Sequence, residues 1–305
     1  MYIVDFFKNL FKKNNIGTII WMVLNIVLIC GIFTYVQINT AQSADAAEIA
    51  QGIITGLVIY LISILIALSP AGEAVMRFQN GCKKINDPDI AARIQPLFDE
   101  VYANAKKLNP ELPDNITLYL SDDDSPNAFA LGRHTVCVTK GLLSMDGNDI
   151  KGILGHEFGH LAHKDTDTLL VMSVGNLIVS VLFAVWRFLF NVFAKIMNFI
   201  LGIMSRSVGA VVAGFITRIF IDFILVALMA IWTKLGVLIC MASSRANEYL
   251  ADKYSFELGY GNQLAIALQK LSGGSHSSNG VFAALSSSHP ATSDRIERLR
   301  QLLRG

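Results

Sequence analysis

The chain has 305 residues, 53% of them hydrophobic and only 16% charged, with a mean hydropathy of +0.48. That balance is too apolar for an ordinary soluble domain and points to a membrane protein. A net charge of +1 gives no global attraction to nucleic acid or to acidic partners, so nucleic acid is not expected as a partner and any basic bias is local.

Ile16 to Ile38 is almost uninterrupted apolar sequence, about the 20 residues that cross a hydrocarbon core as helix. It is longer than the apolar core of a secretory signal, and no small-residue cleavage pattern directly follows it, so it reads as an uncleaved span. The polar stretch Asn39 to Gln51 separates it from a second apolar run, Ile53 to Leu68, and the two predict a hairpin. Lys8, Lys12 and Lys13 precede the pair, and Arg77, Lys83, Lys84 and Arg93 follow it. The positive-inside rule then places both outer ends in the cytoplasm.

Residues 87 to 164 change character. Ile90, Ile94, Phe98, Val101, Ala105 and Leu108 recur at helical spacing after Asp87-Pro88, which predicts an amphipathic helix ending near Asn109-Pro110. Ile116 to Leu120, Asn127 to Leu131 and Thr135 to Thr139 read as short strands joined by hairpin-length turns. Leu169 to Trp186 and Ile219 to Met241 are two further apolar runs, the last interrupted by Asp222 and Lys234. Arg187, Lys195, Arg206 and Arg218 lie between or beside them without an acid, against the charge rule for an outside segment. Either both runs span, or part of 187 to 218 lies along the interface or re-enters. A Gly/Ser-rich loop at 272 to 280 and a basic helix from about Thr292 close the chain. Cys30, Cys82, Cys137 and Cys240 are too scattered for a zinc knuckle or a disulfide framework.

The chemistry starts from His156-Glu157-Phe158-Gly159-His160. Imidazoles at i and i+4 sit one turn apart on one helix face and can reach a single zinc ion. Asn148 or Asp149 is the expected cap of that helix. Gly152, Gly155 and Gly159 line one side of it, which predicts close approach of a neighbour, either the sheet edge or substrate backbone. His163 lies about 10.5 Å along the axis from His156, too far for the same ion. Glu248 and Asp252, four apart on a second predicted helix, suit a third ligand and an acceptor for the far ring N–H of a ligating histidine. A solvated acidic face is the competing reading of that pair.

Four segments together are similar to the HtpX family of bacterial membrane metalloproteases, whose relatives include the CAAX prenyl endoproteases. They are HEFGH at 156–160, SRANEYLAD at 244–252, PNAFALG at 126–132 and HPATSDRI at 289–296. The resemblance implies one zinc ion held by His156, His160 and Glu248, with Glu157 as the acid/base of peptide hydrolysis. It also implies an edge strand, Asn127, Ala128, Phe129 and Ala130, that pairs with extended substrate, unless it is an ordinary sheet edge. His289 is a candidate electrophile for the tetrahedral intermediate, or an occupant of the open zinc position in a resting enzyme, or a helix cap. His276, in the Gly/Ser loop, has no expected role. Arg245 and Arg295 are read as ties between helices.

The expected fold is a mainly α membrane protein with about four transmembrane helices and a small α+β, zincin-like (gluzincin) catalytic domain. Its divisions would be an N-terminal transmembrane hairpin (1–70), a first catalytic part (71–168), a second hydrophobic hairpin (169–241) and a second catalytic part (242–305). The resemblance implies a multi-pass protein of the bacterial inner membrane with the catalytic domain in the cytoplasm. Its substrates would be polypeptides, damaged membrane proteins above all. A specialised protease for one membrane or lipid-modified substrate, or a non-catalytic scaffold or chaperone, are the alternatives.

Overall fold

The structure is a computed structural model describing residues 2–11, 15–205, 208–272 and 292–304. Helix α1 (Tyr2–Leu10) precedes two long apolar helices, α2 (Ile16–Ala41) and α3 (Ala46–Ala67), which pack antiparallel. The polar connection is shorter than the sequence suggests. Asp45 caps α3 by accepting from the Ala47 and Glu48 amides, so residues 46 to 51 join the helix.

Both helices are long and apolar enough to cross a membrane, with mean hydropathies of 2.5 and 2.3. Only 39% and 28% of their apolar windows are buried, which is not how the core helix of a soluble protein behaves. Val27 (64% exposed), Tyr35 (70%) and Ile54 (60%) turn outward, as side chains facing lipid do. Between the helices, a Cβ on Gly56 would lie 2.7 Å from the Cys30 Cα, so the pair packs at backbone distance. Among the described residues no further helix meets the same length and hydropathy test.

A short helix α4 (Pro70–Gln79) leads to strand β1 (Cys82–Lys84), helix α5 (Pro88–Leu108), and strands β2 (Thr117–Ser121), β3 (Ala128–Leu131) and β4 (Thr135–Thr139). The sheet order is β1-β2-β4-β3. The sequence reading missed β1, whose Cys-Lys-Lys shows no alternation. It also expected hairpin turns throughout, whereas β2 runs parallel to β4. The chain passes from β2 to the outer edge, forms β3, and returns by a tight turn so that β4 slots between the two. Strand β3 is therefore an edge strand.

Helix α6 (Gly147–His163) is capped by Asp146, two or three residues before the expected Asn148 or Asp149. Helices α7 (Asp165–Ser205) and α8 (Val208–Glu257) follow, then α9 (Gly261–Ser272) and α10 (Thr292–Arg304). The third and fourth apolar runs are thus parts of very long helices, and α8 crosses the expected boundary near 241 without a break. Phe98, Val101, Val136, Val138, Ile150, Leu154, Phe158, Leu264 and Leu299 form one core between α5, the sheet, α6, α9 and α10. A second apolar cluster joins Phe6 and Leu10 of α1 to Tyr60, Met76, Leu131 and Leu170.

Candidate metal and catalytic site

Helix α6 reaches the others over its glycines. A Cβ on Gly152 would meet the Leu264 amide at 2.4 Å, one on Gly155 the Ser255 hydroxyl at 2.8 Å, and one on Gly159 the Ala251 Cα at 2.7 Å. The close neighbours are helices α8 and α9, not the sheet edge or substrate that the sequence suggested. This approach fixes the site, because Glu248 and Asp252 sit on the same stretch of α8 that Gly159 admits.

His156 Nε2 and His160 Nε2 lie 3.1 Å apart. The two Glu248 oxygens lie 3.4 Å from His156 Nε2 and 3.5 Å from His160 Nε2. A tetrahedral ion bonded at about 2.0–2.1 Å separates its ligand atoms by roughly 3.3–3.4 Å, and one ligand atom from each of the three residues lies within 4.8 Å of the others, so this triangle could hold a metal ion. Charge agrees with geometry. Burial and Arg295 both push the His156 imidazole toward its neutral form, yet Asp252 and Glu248 outweigh them and raise its pKa. Burial acts likewise on His160, and Asp165 and Glu248 raise it well above the ordinary value. The carboxylates thus demand positive charge at the point where the two rings meet.

Carboxylates also hold the rings from behind. His156 Nδ1 lies 2.9 Å from Asp252 Oδ1, and His160 Nδ1 lies 3.3 Å from Asp165 Oδ2. Asp165 was not singled out from the sequence. The signal available was an acid opening the next helix directly after a Lys164 in left-handed conformation, which turns the chain back toward His160. Arg295 also carries more than the sequence reading gave it. It does tie α10 to α8, but its side chain is only 2% exposed and lies inside the cluster. Its Nε donates to Asp252 Oδ2 at 2.8 Å, its Nη2 to Asp252 Oδ1 at 2.6 Å, and its Nη1 approaches Glu248 Oε2 at 3.3 Å. Burial raises the Asp252 pKa, but Arg295 and His156 together hold it well below the usual carboxylate range.

Glu157 lies outside the triangle, 4% exposed, and its Oε2 accepts from the Ala130 amide at 2.9 Å. That amide belongs to the free edge of the sheet. Thr139 donates to the Asn127 carbonyl, so Asn127 and Phe129 bond inward to β4, while the backbone groups of Ala128 and Ala130 point outward. His163 Nδ1 donates to the Gly159 carbonyl, 2.7 Å away, and has no part in the triangle. His276, His289 and the Arg245 side chain lie outside the described residues.

A model of peptidase family M48 matches residues 88–303, which contain all of these groups. The chain belongs to peptidase family M48. Among curated relatives, a protease HtpX homolog of Lactobacillus acidophilus is 30% identical over 81% of this chain and 87% of its own length. One of Leuconostoc citreum is 29% identical over 84% of this chain and 88% of its own. One of Pyrococcus furiosus is 32% identical, over 58% of this chain, and the match spans 64% of that relative's length. Among solved structures, a crystal structure of S. mikatae Ste24p aligns at a TM-score of 0.43 and 17% identity, over 94% of this chain and 66% of that one. The chain thus joins membership of a peptidase family to two helices long and apolar enough to cross a membrane and to a His-His-Glu group that could hold a metal ion.

Proposed function

We propose that the chain is a multi-pass zinc endopeptidase that cleaves polypeptides at a membrane surface. The observation that carries this reading is the position of Glu157, between the ligand triangle and the free edge of β3. His156, His160 and Glu248 would hold the ion, which when bound polarises a water molecule and the scissile carbonyl. A substrate strand pairs with the outward amide and carbonyl of Ala128 and the carbonyl of Ala130, whose amide stays with Glu157, and Asn127 and Phe129 complete the strand. Glu157, anchored through Oε2, uses its other oxygen to take a proton from the attacking water and return it to the leaving amine. Asp252 and Asp165 fix the tautomers of His156 and His160. Arg295 offsets the charge of two buried carboxylates and holds Glu248 in place. His289 enters from sequence resemblance alone, as an electrophilic partner for the oxyanion.

The catalytic side faces the cytoplasm on this reading, since Lys8, Arg77, Lys83 and Lys84 flank the outer ends of α2 and α3. Helices α7 and α8 supply a second pair of spans. Val185, Phe188 and Phe193 on α7, and Phe223, Leu228 and Ile231 on α8, are each at least half exposed. At about 60 and 75 Å both helices outrun a hydrocarbon core of about 30 Å, so both extend from the membrane into the catalytic domain. Segment 1–70 is then the first membrane hairpin, and 71–168 with 242–305 build the protease. Substrates are damaged or misassembled membrane proteins, in the manner of the HtpX family. The intact Glu157 and ligand set disfavour a non-catalytic scaffold.

The test is a substrate panel on the zinc-loaded protein in detergent. An unfolded soluble protein, the same protein folded, and a peptide with a prenylated C-terminal cysteine would be compared. Many cuts confined to the unfolded chain are expected. A single cut in the lipid-modified peptide alone would replace quality control with a specialised role.

A further inference from the structure

Helices α1 and α4 leave the same end of the α2–α3 hairpin. Five residues separate Leu10 from Ile16, and two separate Ala67 from Pro70. The inner side of α1 is fixed by Phe6, fully buried, and Leu10. Its other side presents Val4 (57% exposed), Lys8 and, just past the helix, Phe11 (75% exposed), at a spacing of four and three that forms one face. Lys12 and Lys13 follow in sequence. Near the end of α4, Phe78 is 87% exposed, and Lys83 and Lys84 follow it. Exposed phenyl rings beside lysines, next to both ends of a membrane hairpin, suit a lipid interface with anionic headgroups.

The same two helices hold the turn of the edge hairpin. Asp5 faces inward, with Oδ2 3.3 Å from Arg133 Nη1 and 3.5 Å from Lys164 Nζ. Arg133, in the β3–β4 turn, also donates from Nε to both Asp167 oxygens at 3.0 and 3.1 Å. From α4, Glu73 accepts from the backbone amides of Arg133 and, at 3.1 Å, His134. It packs under Gly132, whose φ of +58° excludes a side chain without strain. Two residues before Gly132, in the same strand, is the Ala130 amide that holds Glu157.

We propose that α1 and α4 bind an anionic lipid surface, and that Asp5 and Glu73 pass this docking to the Ala128–Thr135 hairpin and order the strand beside Glu157. The inference rests on the membrane placement and edge-strand role given above. Its readout is independent of turnover.

The full chain carrying Glu157→Gln, one copy per nanodisc, is placed in phosphatidylcholine alone and in phosphatidylcholine with about one third phosphatidylglycerol. Amide exchange is followed in residues 2–11, 70–79 and 128–135. Phosphatidylglycerol should slow exchange about tenfold in α1 and in the hairpin together. Lys8→Gln/Phe11→Ser should abolish the α1 slowing, and Asp5→Asn should keep it while weakening that of the hairpin. Equal exchange in the two lipids, or slowing that survives Lys8→Gln/Phe11→Ser, would overturn lipid docking. Hairpin slowing undiminished in Asp5→Asn would overturn the coupling. Because the variant is inactive by design, failure here leaves the peptidase reading standing, and failure of that reading leaves this result interpretable.

Discussion

The α2–α3 and α6–α8 helix pairs both approach to backbone distance over glycine, and they use the proximity differently. In the α2–α3 hairpin, Gly52 faces Thr34 and Gly56 faces Cys30, and what meets is mostly apolar surface. In the α6–α8 pair, Gly159 faces Ala251, and what meets is two imidazoles and two carboxylates. Where lipid surrounds the pair, small residues supply the packing itself, because no hydrophobic force drives one apolar helix onto another. In the catalytic domain the core supplies the packing, and the glycines set the spacing of ligand atoms.

The contrast can be broken first at the charge it encloses. Arg295→Met leaves Asp252 and Glu248 buried without their cation, and should cost the metal-free protein about 3–5 kcal/mol. Denaturant unfolding would measure this, with zinc restoring part of the loss by replacing the missing charge. Asp252→Asn removes the negative charge behind His156 and should weaken zinc binding about 10- to 100-fold, read by competition with a chelating dye.

The glycines themselves sharpen the comparison. Gly159→Ala and Gly56→Ala each force a methyl against backbone, and each should destabilise by about 1–3 kcal/mol. Only Gly159→Ala should also lower zinc affinity, since only there does helix separation set ligand spacing. Equal zinc affinities in the two variants would break the distinction.

The smallest effect lies at the link between the membrane and catalytic regions. Burial raises the Asp5 pKa, but Lys164 and Arg133 outweigh it and leave it below the usual value. A lowered carboxyl pKa contributes stability above the unfolded value, about 3.9, and loses it as pH falls through the folded one. Asp5→Asn should therefore reduce the melting temperature slightly at neutral pH, by the equivalent of under about 1 kcal/mol, and the difference should vanish as pH falls through the lowered folded value.

Much of the site was legible because its chemistry is periodic. The i, i+4 spacing of His156 and His160, and of Glu248 and Asp252, is a local property of helices and survives without knowledge of the fold. Asp165, the Ala130 amide and the position of Arg295 were not legible as parts of the site. Each arrives through a turn, a strand crossing or a helix docking that joins distant segments. The same reason accounts for the sheet. Short length and turn-length spacing marked β2, β3 and β4, but nothing local tells whether two strands pair as neighbours or admit a third between them. The caps at Asp45 and Asp146 moved helix starts by a few residues, where several nearby polar residues compete for the same role.

The central claim is that His156, His160 and Glu248 hold the ion while Glu157 works beside it without holding it. Metal content and cleavage of an unfolded protein, measured together for the wild type, Glu157→Gln and Glu248→Ala, test it directly. About one zinc per chain is expected in the wild type and in Glu157→Gln. Little zinc is expected in Glu248→Ala, with cleavage reduced at least about 100-fold in both variants. Wild-type cleavage by Glu157→Gln, or full zinc retention by Glu248→Ala, would contradict it.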